Sequence, residues 1–257
     1  MRFQRKPDYI LHDRDGLEYE LGGGRALLLS ANVPSAMDER ESLEIEPSEV
    51  EVWDNSRKSA PIYPARIRDA SSALGRAALT HNYRIVCHAH PSVTPMMLQL
   101  ASDMGARKAS VIVFASEFDL AYGAVPPFCN WSAGILVVTP NNRLSLNARG
   151  HAAAMRELMV RTPGMQGAVF IGGRRDVQFD ADAFQAAHPF AKCYAIESTG
   201  SAAAALAGRP HSNFHGDLDR GLLRDSKSYS LIAHRIIQDL SRGYSDGAPE
   251  VFSNVFL

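Results

Sequence analysis

The sequence predicts an α/β chain built on an open, mostly parallel sheet with helices on both faces. Three observations carry this. Short runs such as the ALLL within Arg25–Ser30 and Ala168–Ile171 are continuously apolar rather than alternating, as strands buried on both faces are. Between such runs lie stretches with apolar residues at helical spacing. The order of the two kinds is strand, helix, strand, helix, which favours parallel pairing.

The elements follow along the chain. Residues 1–24 end in Leu21-Gly22-Gly23-Gly24 and read as a polar N-terminal extension to a single domain over 25–257. Arg25–Ser30 is the first core strand. Residues 34–63 are acidic, carry prolines and lack periodic apolar positions, so they read as an irregular excursion. Ile67, Ala70, Leu74 and Ala77/Ala78 set the stripe of a helix over Ala65–Leu79. A strand is expected at Tyr83–Cys87 and a helix at Pro95–Met104, with proline at its first position. Ala109–Ala115 and Ile135–Val138 read as strands. Between them, Glu117–Ser132 carries Pro126-Pro127 and reads as a long loop. Further helices are expected at Ala148–Arg161, near Asp182–Ala187, in an alanine run ended by Gly208, and at Tyr229–Leu240. Strands are expected up to Ile171 and over Ala191–Ile196.

Composition excludes several classes. A hydrophobic content of 46% with 21% charge is that of a globular chain, and 257 residues suffice for a sizeable core. A net charge of −1 supplies no general field for nucleic acid or a membrane surface. Cys87, Cys129 and Cys193 are odd in number and lack metal or disulfide spacing, which suits a reducing cytosol. The N-terminus has no apolar signal region and no apolar run is long enough to span a bilayer, so a cytoplasmic protein is expected.

Three strand ends carry the chemistry. In AVFIGGRRDV a buried strand ends at Gly172-Gly173, where backbone N–H groups can approach a ligand, and Arg174 and Arg175 add positive charge. In AIESTGS a strand runs into Ser198-Thr199-Gly200 ahead of a helix. That group suits an anion, or else an ordinary helix cap. In CHAHPSVTP, His88 and His90 precede Pro91 and Thr94 at another helix start. At strand spacing the two rings share a side, as metal ligands can, with His211, His215, Asp217 and Asp219 the nearest additional donors. No zinc signature appears, and hydrogen bonding to ligand or backbone is the preferred role, with no metal expected. Asp180 and Glu197, near strand ends, are the candidate catalytic carboxylates. For Asp180 the alternative is a cap just ahead of its helix. Phe118, Tyr122, Phe128 and Trp131 in the 117–131 loop either stack on a base or form a core edge.

Read in order, LLLSANVP, RIVCHAHPSVTP, VFIGGRRDV and YAIESTGSAAAAL resemble the SLOG superfamily, the Rossmann-like domains related to DprA and the Lonely-guy phosphoribohydrolases. The resemblance spans roughly residues 25–240. It is nearest the branch found beside Sir2 and TIR effectors in bacterial conflict systems, whose corresponding pieces read SASxP, GGHPSITP, GGMEGVEEEF and STGGAA. It implies a sheet edge that binds nucleotides or nucleotide-derived messengers. It places Ser30, His90, Pro91, Thr94, Gly172, Gly173, Ser198, Thr199 and Gly200 on pocket-forming positions. His88 and Ala89 replace the paired glycines before His-Pro, and Asp176 stands where a third glycine is expected. Gln178, Phe179 and Asp180 take the place of glutamates, so the glycosidase pattern is broken at its glutamate.

The resemblance implies a sensor, in a bacterial defence-type system, of a nucleotide-derived ligand such as an NAD or ADP-ribose-type molecule or a cyclic nucleotide. The N–H groups of Gly172, Gly173, Thr199 and Gly200 would hold phosphates, with Arg174 or Arg175 assisting. The alternative is an N-glycosidase that cleaves a base–ribose bond with Asp180 or Glu197 as the acid. No cofactor is required on either reading. A separate effector protein and a homodimer or other homo-oligomer are the expected partners, with neither nucleic acid nor membrane among them.

Overall fold

A computed structural model describes residues 9–10, 24–33, 61–121, 129–140, 148–209 and 214–245. Among the described residues the sheet has seven strands, every pair parallel. They are β1 (Tyr9–Ile10), β2 (Ala26–Asn32), β3 (Arg84–His88), β4 (Val111–Ser116), β5 (Gly134–Thr139), β6 (Met165–Gly172) and β7 (Lys192–Ile196). Their spatial order is β1-β5-β4-β3-β2-β6-β7. Parallel strands need crossovers, and helices supply them on both faces. Among the described residues the helices between strands are α1 (Pro64–Thr80), α2 (Thr94–Asp103), α3 (Glu117–Ala121), α4 (Ala148–Val160) and α5 (Arg175–Ala187), and α6 (Ser201–Ala207), α7 (Arg220–Asp225) and α8 (Tyr229–Ser245) follow β7.

The pleat sorts each strand between two cores. Leu27, Leu29, Ile85, Cys87 and Val113 face α1, α2 and α8, meeting Ile67, Leu74, Met97, Ile232 and Ile236. Ala26, Leu28, Val86, Ile112, Phe114 and Phe170 face α4, α5 and α6, meeting Met155, Met159, Val177, Phe184 and Leu206. Each large side chain so buried contributes about 1.5–3 kcal/mol. The uniform apolar runs follow from this, since β2, β4 and β5 are buried along their whole length. Cys87, Cys129 and Cys193 are buried free thiols, and burial pushes Cys87 and Cys193 up to about 12.

The expected strands lie within a few residues of the observed ones. Several other expectations change. Helix α5 begins at Arg175, one residue beyond Gly172-Gly173, rather than near Asp182. The stretch read as loop from Glu117 opens with α3, where Ser116 N–H and Oγ both bond Asp119 Oδ2, at 2.8 and 2.7 Å. Helix α7 has no counterpart among the elements expected from the sequence. It is capped by Asp219, which accepts from Gly221 N–H at 3.0 Å. Tyr9–Ile10, inside the segment read as an extension, pairs with Leu136 and Val137 of β5. The excursion over residues 34–60, the prolines and aromatics of 122–128 and His211 lie outside the described residues.

Beyond β7 the chain comes back along the strand. Tyr194 bridges His215, and Ala195 N–H bonds Phe214 O at 2.8 Å, so the edge backbone is covered. Lys192 Nζ reaches Asp239 Oδ1 and Asp217 Oδ2, each at 2.7 Å, and Tyr194 OH donates to Asp239 Oδ2 at 2.8 Å. These contacts strap that return to α8.

Candidate functional site

From β2 to β5 the chain winds outward in one direction, then returns to lay β6 on the other side of β2. The order therefore reverses between β2 and β6, and a crevice opens at the carboxyl ends of such strands. Asn32 is paired in register with Gly172 there.

Ser30, Asn32 and His88 project from β2 and β3 toward the α4/α5 face, because Ser30 and Asn32 continue the Ala26–Leu28 side of the pleat. Opposite them on α5 stand Asp176 and Asp180, one turn apart. Asp180 is fully buried. Its Oδ2 accepts from Ser30 Oγ at 2.6 Å and contacts His88 Nδ1 at 3.0 Å, while its Oδ1 accepts from Arg156 Nε of α4 at 2.7 Å. His88 Nε2 stands 3.5 Å from Asp176 Oδ2. That carboxylate also accepts from the Asn32 amide and from Arg174 N–H, the latter at 3.3 Å.

The charges hold one another. Burial on its own would lower His88, but the Asp180 and Asp176 carboxylates outweigh it and raise the imidazole to about 10. Burial likewise opposes ionisation of both aspartates, and His88 and Arg156 reverse the effect, holding Asp176 and Asp180 below the usual carboxylate range. The cluster is an ionised, internally neutral network that ties β2, β3, α4 and α5 together.

The glycines have packing reasons. Gly172 sits at φ +55° and a Cβ there would stand 2.3 Å from Ile67 Cδ1 of α1. At Gly173, with φ +76°, a Cβ would run into Val177. Gly172 N–H is used by Thr199 Oγ1 at 2.8 Å, and Thr199 Oγ1 donates to Ile196 O at 2.6 Å. Gly200, at φ +82°, bridges Ile62, and its N–H bonds Glu197 O at 2.9 Å. Thr94 Oγ1 accepts from His90 N–H at 2.9 Å, and His90 Nδ1 meets Ser92 Oγ at 2.7 Å. Ser92 Oγ in turn accepts from Val33 N–H, which ties that turn to the end of β2.

The remaining sequence candidates lie close by. Arg174 occupies the N-cap position of α5 without a side-chain capping bond, and Arg175 sets its guanidinium 5.4 Å from the Phe179 ring, which Arg156 also faces. Glu197 accepts from Arg220 Nε at 2.7 Å, and Ser198 O accepts from Arg66. Phe118 stacks on His151 at 6.2 Å, and Trp131 is buried in the core. Two buried side-chain atoms near the crevice have no partner among the described residues: Asn32 Oδ1 and Ser198 Oγ. His88 and His90 stand with rings 6.2 Å apart and edge to face. Among the described residues no group of three or more histidine, cysteine, aspartate or glutamate side chains is placed to hold a metal ion, and no helix is long and apolar enough to cross a membrane.

Comparison with known proteins decides the family. The model described as the SLOG cluster3 family matches residues 60–234, more than half of the chain. The chain belongs to that family. No curated protein matches it. Among solved structures it is similar to the X-ray structure of TM1055, a Northeast Structural Genomics Consortium target, at 11% identity and a TM-score of 0.49 over 83% of this chain and 98% of that one.

Three members of the SLOG chain's network escaped sequence reasoning as site residues. Asn32 lies two residues after Ser30 and so on the same face of β2, a signal that strand periodicity carries. Asp176 appeared only as the residue in place of a glycine. Arg156 left no signal, since on an amphipathic helix an arginine reads as solvent-facing.

Proposed function

We propose that this chain is a binding protein for a nucleotide-derived small molecule, held at the carboxyl edge of the sheet where β2 and β6 part. The observation that carries this reading is the pair of buried, unpartnered polar atoms, Asn32 Oδ1 at the end of β2 and Ser198 Oγ in the Glu197–Thr199 turn after β7, on either side of Gly172. Buried polar atoms find partners in folded proteins, and a ligand is the partner such a crevice is shaped to supply. Membership of the SLOG family makes a nucleotide-related ligand the natural class.

Binding without turnover fits the carboxylates better than glycosidic cleavage. A general acid must carry a proton at working pH. Asp180 has three donors pointed at it and no exposed surface, and Glu197 is committed to Arg220. The role that follows is a sensor of an NAD-type, ADP-ribose-type or cyclic-nucleotide signal, working with a separate effector in a defence-type system.

A thermal-shift panel of nucleotides, NAD, ADP-ribose and cyclic nucleotides tests it, with chromatography of the same incubations. A ligand that raises Tm by several degrees, is recovered intact, and loses its effect in N32A and S198A supports the sensor. Release of free base or nicotinamide, lost in D180N or E197Q, overturns it in favour of the glycosidase. No response to any member of the panel refutes the nucleotide reading.

A further inference from the structure

The α5 N-terminus at the β2/β6 crevice already holds an anion, and it belongs to the chain. Asp176 lies in the first turn of this thirteen-residue helix. Arg174 N–H, the Asn32 amide and His88 Nε2 all converge on its carboxylate. A glycine turn followed by a helix N-terminus with inward-pointing donors is the arrangement that takes up a phosphate. Here the donors are spent on a side chain.

Charge leads to the same point. His88 and Arg156 are matched by Asp176 and Asp180, so these two cations are already spent on carboxylates of the chain. A phosphate at this position would face two fixed carboxylates at close range. The atom left waiting is an acceptor. Asn32 is only 4% exposed, its Nδ2 is bonded to Asp176, and its Oδ1 has no donor among the described residues. An orphan acceptor calls for a hydroxyl or an N–H.

We propose that Asp176 is the resident anion of this crevice and selects an uncharged donor of the ligand, a ribose hydroxyl, where a phosphate would otherwise bind. The choice of ribose rests on the nucleotide reading above, whereas the role of Asp176 as resident anion does not. A phosphate carried by the ligand then lies away from the α5 N-terminus, outside the Asn32–Asp176 contact.

The first test uses inorganic phosphate as the probe, with wild type and D176S melted in millimolar phosphate and in chloride of matched ionic strength. D176S removes the carboxylate and leaves its three donors, so phosphate should raise the Tm of D176S by several degrees and leave wild type unchanged. Equal stabilisation of both proteins overturns the proposal, as does a folded D176S that ignores phosphate. If D176S does not fold, D176G also vacates the position while leaving Arg174 N–H, the Asn32 amide and His88 in place, and it carries the same comparison.

The second test titrates wild type with the four ribonucleosides, their 5′-monophosphates, and the 2′- and 3′-deoxy forms. A bound nucleoside should match its monophosphate within a few-fold and weaken about tenfold on losing the hydroxyl that meets Asn32. A monophosphate that binds while its nucleoside does not overturns the choice of ribose. Binding by none of them, together with no response to NAD, ADP-ribose or cyclic nucleotides, overturns the choice of ribose along with the nucleotide reading, and the phosphate response of D176S then judges Asp176 alone.

Discussion

Replacing His88 with glutamine should destabilise the protein strongly at neutral pH and much less in alkali. His88 is the only imidazole in contact with both Asp176 and Asp180 among the described residues, and its side chain is 10% exposed. Its pKa rises from 6.5 to about 10 in the fold. At about 1.4 kcal/mol per pH unit, this corresponds to on the order of 5 kcal/mol favouring the charged ring in the native state, of which about 4 kcal/mol is present at pH 7. Because the folded value lies above the unfolded one, the contribution is complete below about pH 6.5. It declines as pH rises and is lost above about pH 10. Glutamine can bond one carboxylate but brings no charge, so H88Q forfeits most of this at pH 7. For a chain of this size the loss lowers Tm by about 10 °C. Urea unfolding of both proteins at pH 7 and pH 9 measures it, and other titrating groups largely cancel in the difference between wild type and variant. The gap should narrow by about 3 kcal/mol between the two pH values. A gap that is absent at pH 7, or that stays constant to pH 9, refutes the charged network.

Gly172→Ala places a methyl 2.3 Å from Ile67 Cδ1 at a left-handed φ, so a loss of about 2–4 kcal/mol is expected. Melting of G172A checks it, and an additional I67A should relieve the clash but not the backbone strain. A G172A protein as stable as wild type would show that the turn is not held as described. Asp239→Asn removes the charge that Lys192, Tyr194 and the Asp217 N–H all address, at a cost of about 3 kcal/mol. Hydrogen exchange should speed up at Ala195, whose N–H bonds Phe214 O in the strapped return, and unchanged protection there would dissociate the strap from Asp239.

Much of the architecture was legible because burial on both faces leaves its mark on composition. Val111–Ser116 and Gly134–Thr139 are buried at every position, and no alternation hides them. Helices with a wide apolar stripe were equally plain, Ile67, Ala70, Leu74 and Ala78 of α1 being the example. Short helices without a stripe were not. α3 buries none of its residues and α7 only Leu223, so capping chemistry alone signals their starts, Ser116 with Asp119 in one and Asp219 in the other. The strand ends of the candidate site could be placed from sequence. Their hydrogen-bond partners could not, since Gly172 N–H and Thr199 Oγ1 meet only once β6 and β7 are paired.

Asp180 explains why α5 was read as starting too late. Its inner face runs Val177, Asp180, Ala181, Phe184, a helical period with a carboxylate set into it. A carboxylate on that stripe breaks the apolar pattern, and beside a strand end it reads as a cap. On chemical grounds the buried position is costly, because an unpaired charge there would exact several kcal/mol. It is tolerated because the donors come from other elements: Ser30 lies 150 residues away in sequence, His88 lies 92 away and Arg156 lies 24 away. No window of sequence around Asp180 contains all three. The residue type cannot by itself distinguish a solvated cap from a fully paired core charge; the difference lies in long-range pairing, which exists only once β2, β3, α4 and α5 are assembled. The same pairing separates Asp176 from an ordinary first-turn acid, since Asn32 and His88 reach it from two different strands.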